Sequence, residues 1–358
     1  METLGIMNWV KPARLVATVV LAATAVALPA MDSSARSKKQ PVVEAPPPPP
    51  PPPPAGAVGL PDRLLGDASA YAAYLQRATA TSPSGFTSGA AVSQALKEDA
   101  AYDPDALIRG AVAYAAVAAL QDPTFVAEIR AAGTSPENRQ LMVGYIIRDP
   151  AYVFMFKGSA AAAGLAKEAL GGAGLRLYSA GKAIKQSAYD VQHQTWSKED
   201  VVDRPGRLAA VKASARGPMP AASEQTDILQ RAATGAAPLG ISAAPASPPY
   251  TPLVARALQL AAIAAMGEAT DAAYDRLTYL TSDASTSTCL NMAKLNLYQC
   301  LAVSKPHYED IFCLGQHVML DTGSCLARNA GMDMPVDAPP PASSPAPKTS
   351  VRASRARG

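Results

Sequence analysis

All four cysteines of this 358-residue chain fall in one stretch, Cys289 to Cys325, and no other feature limits the fold so tightly. Cys289, Ala293, Asn296 and Cys300 recur at i, i+4, i+7 and i+11, so at ~100° per residue they share one helix face. Cys289 and Cys300 cannot bond each other there: their positions stand roughly 16 Å apart along a helix, whereas a disulfide needs Cα atoms within about 7 Å. After a turn at Ser304-Lys305-Pro306, Ile311, Cys313, His317 and Leu320 repeat at helical spacing until Asp321-Thr322-Gly323, which reads as an interruption.

Two such arms folded antiparallel place Cys300 opposite Cys313 and Cys289 opposite Cys325. Of the three connectivities open to four cysteines, the nested one fits an αα-hairpin; the crossed one leaves partners roughly 20 Å out of step along the axis. Cys325 lies about 120° around an ideal helix from Cys313, so the arm has to be re-aimed, and Gly323 is the expected place. A zinc site built from Cys300, Cys313, His307 and His317 is the alternative reading, although the short cysteine spacings that zinc sites favour are missing. The layout resembles the twin-cysteine helical hairpins of small oxidised proteins, with slightly wider spacing. The resemblance covers only this segment and implies a stapled hairpin, with no function attached.

Paired thiols belong to oxidising compartments, and the N-terminus agrees. Lys11 and Arg14 precede an apolar run from Leu15 to Leu28, with small residues at Ala25, Ala27 and Ala30 for cleavage. The run is shorter than the ~20 residues of a comfortable membrane span. Residues 1–30 therefore read as a signal peptide, with an uncleaved anchor as the alternative. Residues 31–61 read as a Pro-rich disordered linker containing the uninterrupted run Pro46 to Pro54, a stiff spacer or a ligand for an aromatic-lined groove. Residues 332–358 read as a disordered tail ending in Lys348, Arg352, Arg355 and Arg357.

Between them, 62–331 reads as an all-α domain. Asp103-Pro104, Asp122-Pro123, Ser135-Pro136 and Asp149-Pro150 each join a capping side chain to a first-turn proline, ahead of apolar residues. Gly110–Leu120 is a buried helix. Gly158 and Gly164 lie among alanines in a helix that Gly171-Gly172-Ala173-Gly174 is expected to break. Leu177, Gly181, Ile184, Ala188, Val191 and Thr195 form a helical stripe predicted to run to about Ser197. Residues 205–250 read as a long loop with one helical candidate at Glu224–Ala233. A last helix is expected over Leu253–Leu280, feeding directly into the hairpin. Aromatics make up only 6% of the chain. A buried alanine contributes ~0.8 kcal/mol against 1.5–3 for a leucine, so the cystines carry a substantial share of the expected stability.

No GxSxG, HExxH or CxxC motif is present, and no catalytic residue, cofactor or metal ligand is assigned. The Asp190/His193 pair on a helix reads as surface decoration. A formal net charge of +3 gives no case for nucleic acid. The functional expectation is an exported bacterial cell-envelope protein, structural or interacting, acting through helix surfaces and its Pro-rich arm. Its partner is a protein or envelope component, and any membrane contact is peripheral. An envelope-acting hydrolase on an all-α scaffold is the competing class, beside a Cys/His zinc-binding module.

Overall fold

A computed structural model describes residues 57–335. The segment 1–30 read as a signal peptide, the proline run and the basic C-terminal cluster lie outside those residues. Among the described residues the fold is all-α and contains no strand. The helices are α1 (Asp62–Ala80), α2 (Gly89–Asp99), α3 (Pro104–Ala119), α4 (Pro123–Ala132), α5 (Pro136–Arg148), the single turn α6 (Ala151–Phe154), α7 (Ser159–Lys167) and α8 (Ala173–Val191). They continue with the short α9 (Thr195–Lys198), α10 (Arg204–Ser214), α11 (Ser223–Ala233), α12 (Pro252–Ala265), the short α13 (Tyr274–Leu277), α14 (Ala284–Val303), α15 (His307–Cys313) and α16 (Asp321–Asn329).

Capping chemistry sets many of the starts. Asp103, Asp122 and Ser135 accept from Ala106, Phe125 and Asn138 backbone N–H groups at 2.9, 2.7 and 3.2 Å, each with proline in the first turn. Asp283 does the same for α14, accepting from Thr286 at 2.8 Å. Almost every residue of α12 and most of those of α3 are buried, so these two alanine-rich helices form the centre, and α1, α7 and α12 pack on α3.

The last two long arms make the hairpin. α14 pairs with a second arm built from α15, a wider-wound π segment over Leu314–Leu320, and α16. Cys300 and Cys313 are bonded near the turn with Cα atoms 5.8 Å apart, and Cys289 and Cys325 further out at 5.7 Å. With sequence separations of 13 and 36, the loops they close correspond to about 3 and about 4 kcal/mol of denatured-state entropy.

Gly323 is not the point of re-aiming. It lies inside α16, and helical winding continues through it. The π segment does the work instead. Its i→i+5 bonding turns the chain through a smaller angle per residue than an α-helix, and over Leu314–Leu320 this takes back the rotation that would carry Cys325 off the facing arm. Gly323 has a packing task. A Cβ there would sit 2.5 Å from the Tyr178 nitrogen and 2.6 Å from the Gly174 carbonyl on α8. One at Gly181 would sit 2.5 Å from the Leu320 nitrogen and 2.8 Å from the Gly315 carbonyl. α8 therefore lies backbone against backbone along the second arm, with Gly174 against Gly323 and Gly181 against Gly315.

Several other expectations are corrected. Gly171-Gly172-Ala173-Gly174 does not break the chain: a π turn over Glu168–Gly172 leads straight into α8. Met332 and Ala330 pack where a Gly171 side chain would stand. α8 stops at Val191, because Gln194 N–H and Ser197 Oγ donate to its carbonyl at 2.8 and 2.5 Å and turn the chain away. The helix expected over Leu253–Leu280 ends at Ala265. There Gly267, at φ +73°, allows Gly267 N–H to reach the Ala264 carbonyl and Glu268 N–H the Ile263 carbonyl, a Schellman ending. The stretch 205–250 is not one long loop. Asp203 accepts from Gly206 N–H at 2.8 Å, Pro205 occupies the first turn, and α10 follows; α11 then falls where Glu224–Ala233 was read.

Candidate functional site

The tip of the hairpin is where the polar chemistry concentrates. α14 ends at Val303, and its last carbonyls would be orphans. α10 supplies their partners. Arg204 donates to the carbonyls of Ser304 (2.7 Å), Ala302 (2.8 Å) and Val303 (3.0 Å). Arg207 donates to the Leu301 carbonyl and forms an ion pair with Asp310 at 2.5 Å, with both side chains almost fully buried. Ser304 Oγ donates to the same Asp310 oxygen at 2.8 Å. Burial raises the Asp310 carboxyl above its ordinary range, opposed chiefly by Arg207. Asp310 Oδ2 and Arg207 Nε are buried without a partner, so the pair is closed on one side only.

Beside this latch a pocket of about 430 Å³ opens between the end of α8 and the hairpin turn. The Cys300–Cys313 cystine forms part of its wall, with Tyr189, Tyr308 and Phe312 as aromatic walls and Gln192 and Glu309 as polar ones. The Tyr189 and Phe312 rings meet edge to face, 84° apart in plane and 6.3 Å between centroids. Glu309 is held by its own helix start: its Oε2 accepts from Lys305 N–H at 2.8 Å. A second, more polar depression of about 520 Å³ lies across α10, bordered by Glu199, Asp203, Arg207 and His307 among others.

A third polar cluster is sealed inside. Lys294 lies one residue past Ala293 on α14, and its ammonium is 3.5 Å from the Tyr102 ring centroid while donating to the Ala100 carbonyl at 2.5 Å. Burial pushes this amine down to about 7, resisted by Asp103. Nearby in the chain, burial pushes the Asp99 carboxyl up to about 7, although Thr81 Oγ1 donates to it at 2.8 Å and Arg77 opposes the rise. Tyr102 exchanges a hydrogen bond with Thr322 at 2.6 Å, tying α16 to this cluster. Neither pocket at the hairpin tip is bordered by Lys294, Asp99 or Asp310.

The histidines are scattered. His317 Nδ1 meets Asp321 at 2.7 Å within the second arm. The His307 ring packs onto Gly89 of α2, and its Nδ1 is buried without a partner. His193 is exposed, and Asp190 accepts from Gln186 at 3.0 Å. With Cys300 and Cys313 bonded to each other, the zinc set is not assembled. Among the described residues no group of three His, Cys, Asp or Glu side chains could hold a metal ion.

Sequence reasoning brought the four cysteines together and missed the residues around them. Arg207 falls in the stretch 205–250 that reads as a loop, and Arg204 just before it, although Asp203 two residues ahead of Pro205 offers a start similar to the cap-proline pairs of α3, α4 and α5. Lys294 could have been found as a charge inside the Leu290, Leu297 and Leu301 stripe. No protein-family model, curated protein or solved structure matches the chain.

Proposed function

We propose that this chain is an exported protein of the bacterial cell envelope that works as a non-catalytic structural or interaction protein, through its helix surfaces and Pro-rich arm. The observation that carries this reading is the disposition of its buried charges. Lys294 ends on a backbone carbonyl and an aromatic ring, and Asp310 on Arg207 and Ser304. Each joins one helix to another, and neither Lys294 nor Asp310 itself lines the two hairpin-tip pockets, although Ser304 and Arg207, the partners of Asp310, do. Groups with perturbed proton affinity that do chemistry are found facing a cleft; these hold the scaffold. Two cystines are compatible with an oxidising destination, and no helix among the described residues is long and apolar enough to cross a membrane.

Expression of the full chain in a bacterial host tests both halves. The expected product starts after Ala27 or Ala30, appears in the osmotic-shock fraction, and has no thiol open to alkylation before reduction. In-situ cross-linking in intact envelopes should then join it to an envelope component. Cytoplasmic retention with free thiols would overturn export. Release of soluble fragments from purified envelope polymers, abolished by one carboxylate substitution, would hand the chain to the hydrolase class.

A further inference from the structure

The pocket beside the inner cystine has a chemistry that points to one class of ligand. Its volume, about 430 Å³, lies within the ~300–1,000 Å³ typical of small-molecule sites. Three of its walls are aromatic. Tyr308 and Phe312 lie one helical turn apart on α15, and Tyr189 comes from α8 to stand edge-on to Phe312. The faces of such rings carry negative potential and attract cations, most of all alkylated ones that shed their hydration readily. Among the described residues no lysine or arginine borders the pocket, whereas the carboxylate of Glu309 does. That carboxylate is fixed in place by Lys305 N–H. Phe312 is already engaged by an ammonium, Lys185 Nζ at 5.1 Å from its centroid and anchored by Gln316 at 2.8 Å, which leaves Tyr189, Tyr308 and Glu309 to receive a ligand's charge. The cystine stiffens the part of the wall it forms, because it joins the two arms.

We propose that this pocket binds the alkylammonium group of an organic cation, with the charge against Tyr189 and Tyr308 and balanced by Glu309, and its alkyl groups against Phe312. Gln192 stands where it can hydrogen-bond the ligand's polar tail. The proposal goes beyond the interaction role above and does not depend on where the chain resides.

Calorimetric titration of the oxidised full chain with choline, and with its uncharged isostere 3,3-dimethyl-1-butanol, separates charge from shape without any variant. Choline should bind saturably and about tenfold more tightly than the isostere. Glu309→Gln keeps an acceptor for Lys305 N–H and loses the charge, so choline should weaken about two- to fivefold while the isostere is unaffected. Tyr189→Leu, at a half-exposed position, should weaken choline about tenfold with circular dichroism and cystine mapping unchanged. Sedimentation with phosphatidylcholine or phosphatidylglycerol vesicles then assigns the source. Binding only to the former makes the ligand a lipid headgroup, and binding of choline with neither makes it a free small cation. Equal affinity for choline and the isostere, an unsaturable choline response, or unchanged binding in both variants would each overturn the assignment.

Discussion

Lys294→Met should flatten the alkaline limb of the stability profile. In the folded chain the amine titrates at about 7, because burial disfavours the ammonium, against an ordinary value of 10.5. Between those values the unfolded chain holds a proton that the folded chain has lost, so stability rises with pH. The full gap is worth about 5 kcal/mol at ~1.4 kcal/mol per pH unit, and about 2 kcal/mol of it falls between pH 7 and 9. Groups near Lys294 contribute little in that window. The Tyr102 phenol is raised by burial and stays protonated, and Asp99, at its midpoint near pH 7, opposes the rise by only about 0.4 kcal/mol between pH 7 and 9. Urea unfolding of the disulfide-intact protein at pH 7, 8 and 9 reads the effect directly. The wild type should gain about 2 kcal/mol and the methionine variant should gain none, falling by about 0.4 kcal/mol through Asp99. A wild-type profile flat over this range would mean that the Tyr102 ring and the Ala100 carbonyl fully compensate the buried ammonium. A rise that survives in the variant would assign it to another group.

Asp99 gives the opposite limb. Its folded value of about 7 lies above the ordinary 3.8, so the folded chain keeps a proton that the unfolded chain has released, and stability should fall as pH rises from about 4 to 7; Asp99→Asn should remove that fall in the same urea series. Arg207→Met strands the buried Asp310 carboxylate and should cost about 3–5 kcal/mol, whereas adding Asp310→Leu should restore most of it; a double variant as unstable as the single one would refute the latch. Gly315→Ala presses a Cβ onto the Lys185 backbone and to 2.9 Å from the Gly181 carbonyl and should cost about 1–3 kcal/mol or more. Gly144→Ala, with nothing within 4 Å on the exposed face of α5, should instead stabilise by about 1 kcal/mol in thermal melts.

What could be read from the sequence was what depends on local periodicity or on a short covalent reach. The Asp-Pro and Ser-Pro starts of α3, α4 and α5 are decided within four residues, and the structure uses all three. The nested cystines follow from rise per residue and loop symmetry about Pro306. Several of the errors lie at glycines, whose role is set by tertiary contact and backbone conformation. At Gly267 a backbone ending was hidden inside an apolar stripe. At Gly171, Gly174 and Gly323 a break was expected where tertiary contact uses the missing Cβ. Propensity charges a helical glycine ~1 kcal/mol, and a backbone-to-backbone approach such as Gly174 against Gly323 recovers it only through packing that no local window contains.

The same limit explains why the hairpin had to be wound as it is. The two glycines of α8 are seven residues apart, Gly174 to Gly181, and their partners on the second arm are eight apart, Gly315 to Gly323. Two α-helices cannot keep such sites in register, because equal lengths of helix carry equal numbers of residues. A π segment holds an additional residue, and Leu314–Leu320 lies in that interval. One local change of winding thus meets two independent demands: it brings Gly323 level with Gly174 along α8, and it turns Cys325 back toward Cys289. Neither demand is visible in the residues of the second arm alone. The first is set by α8, more than a hundred residues earlier in the chain, and the second by the opposite arm of the hairpin.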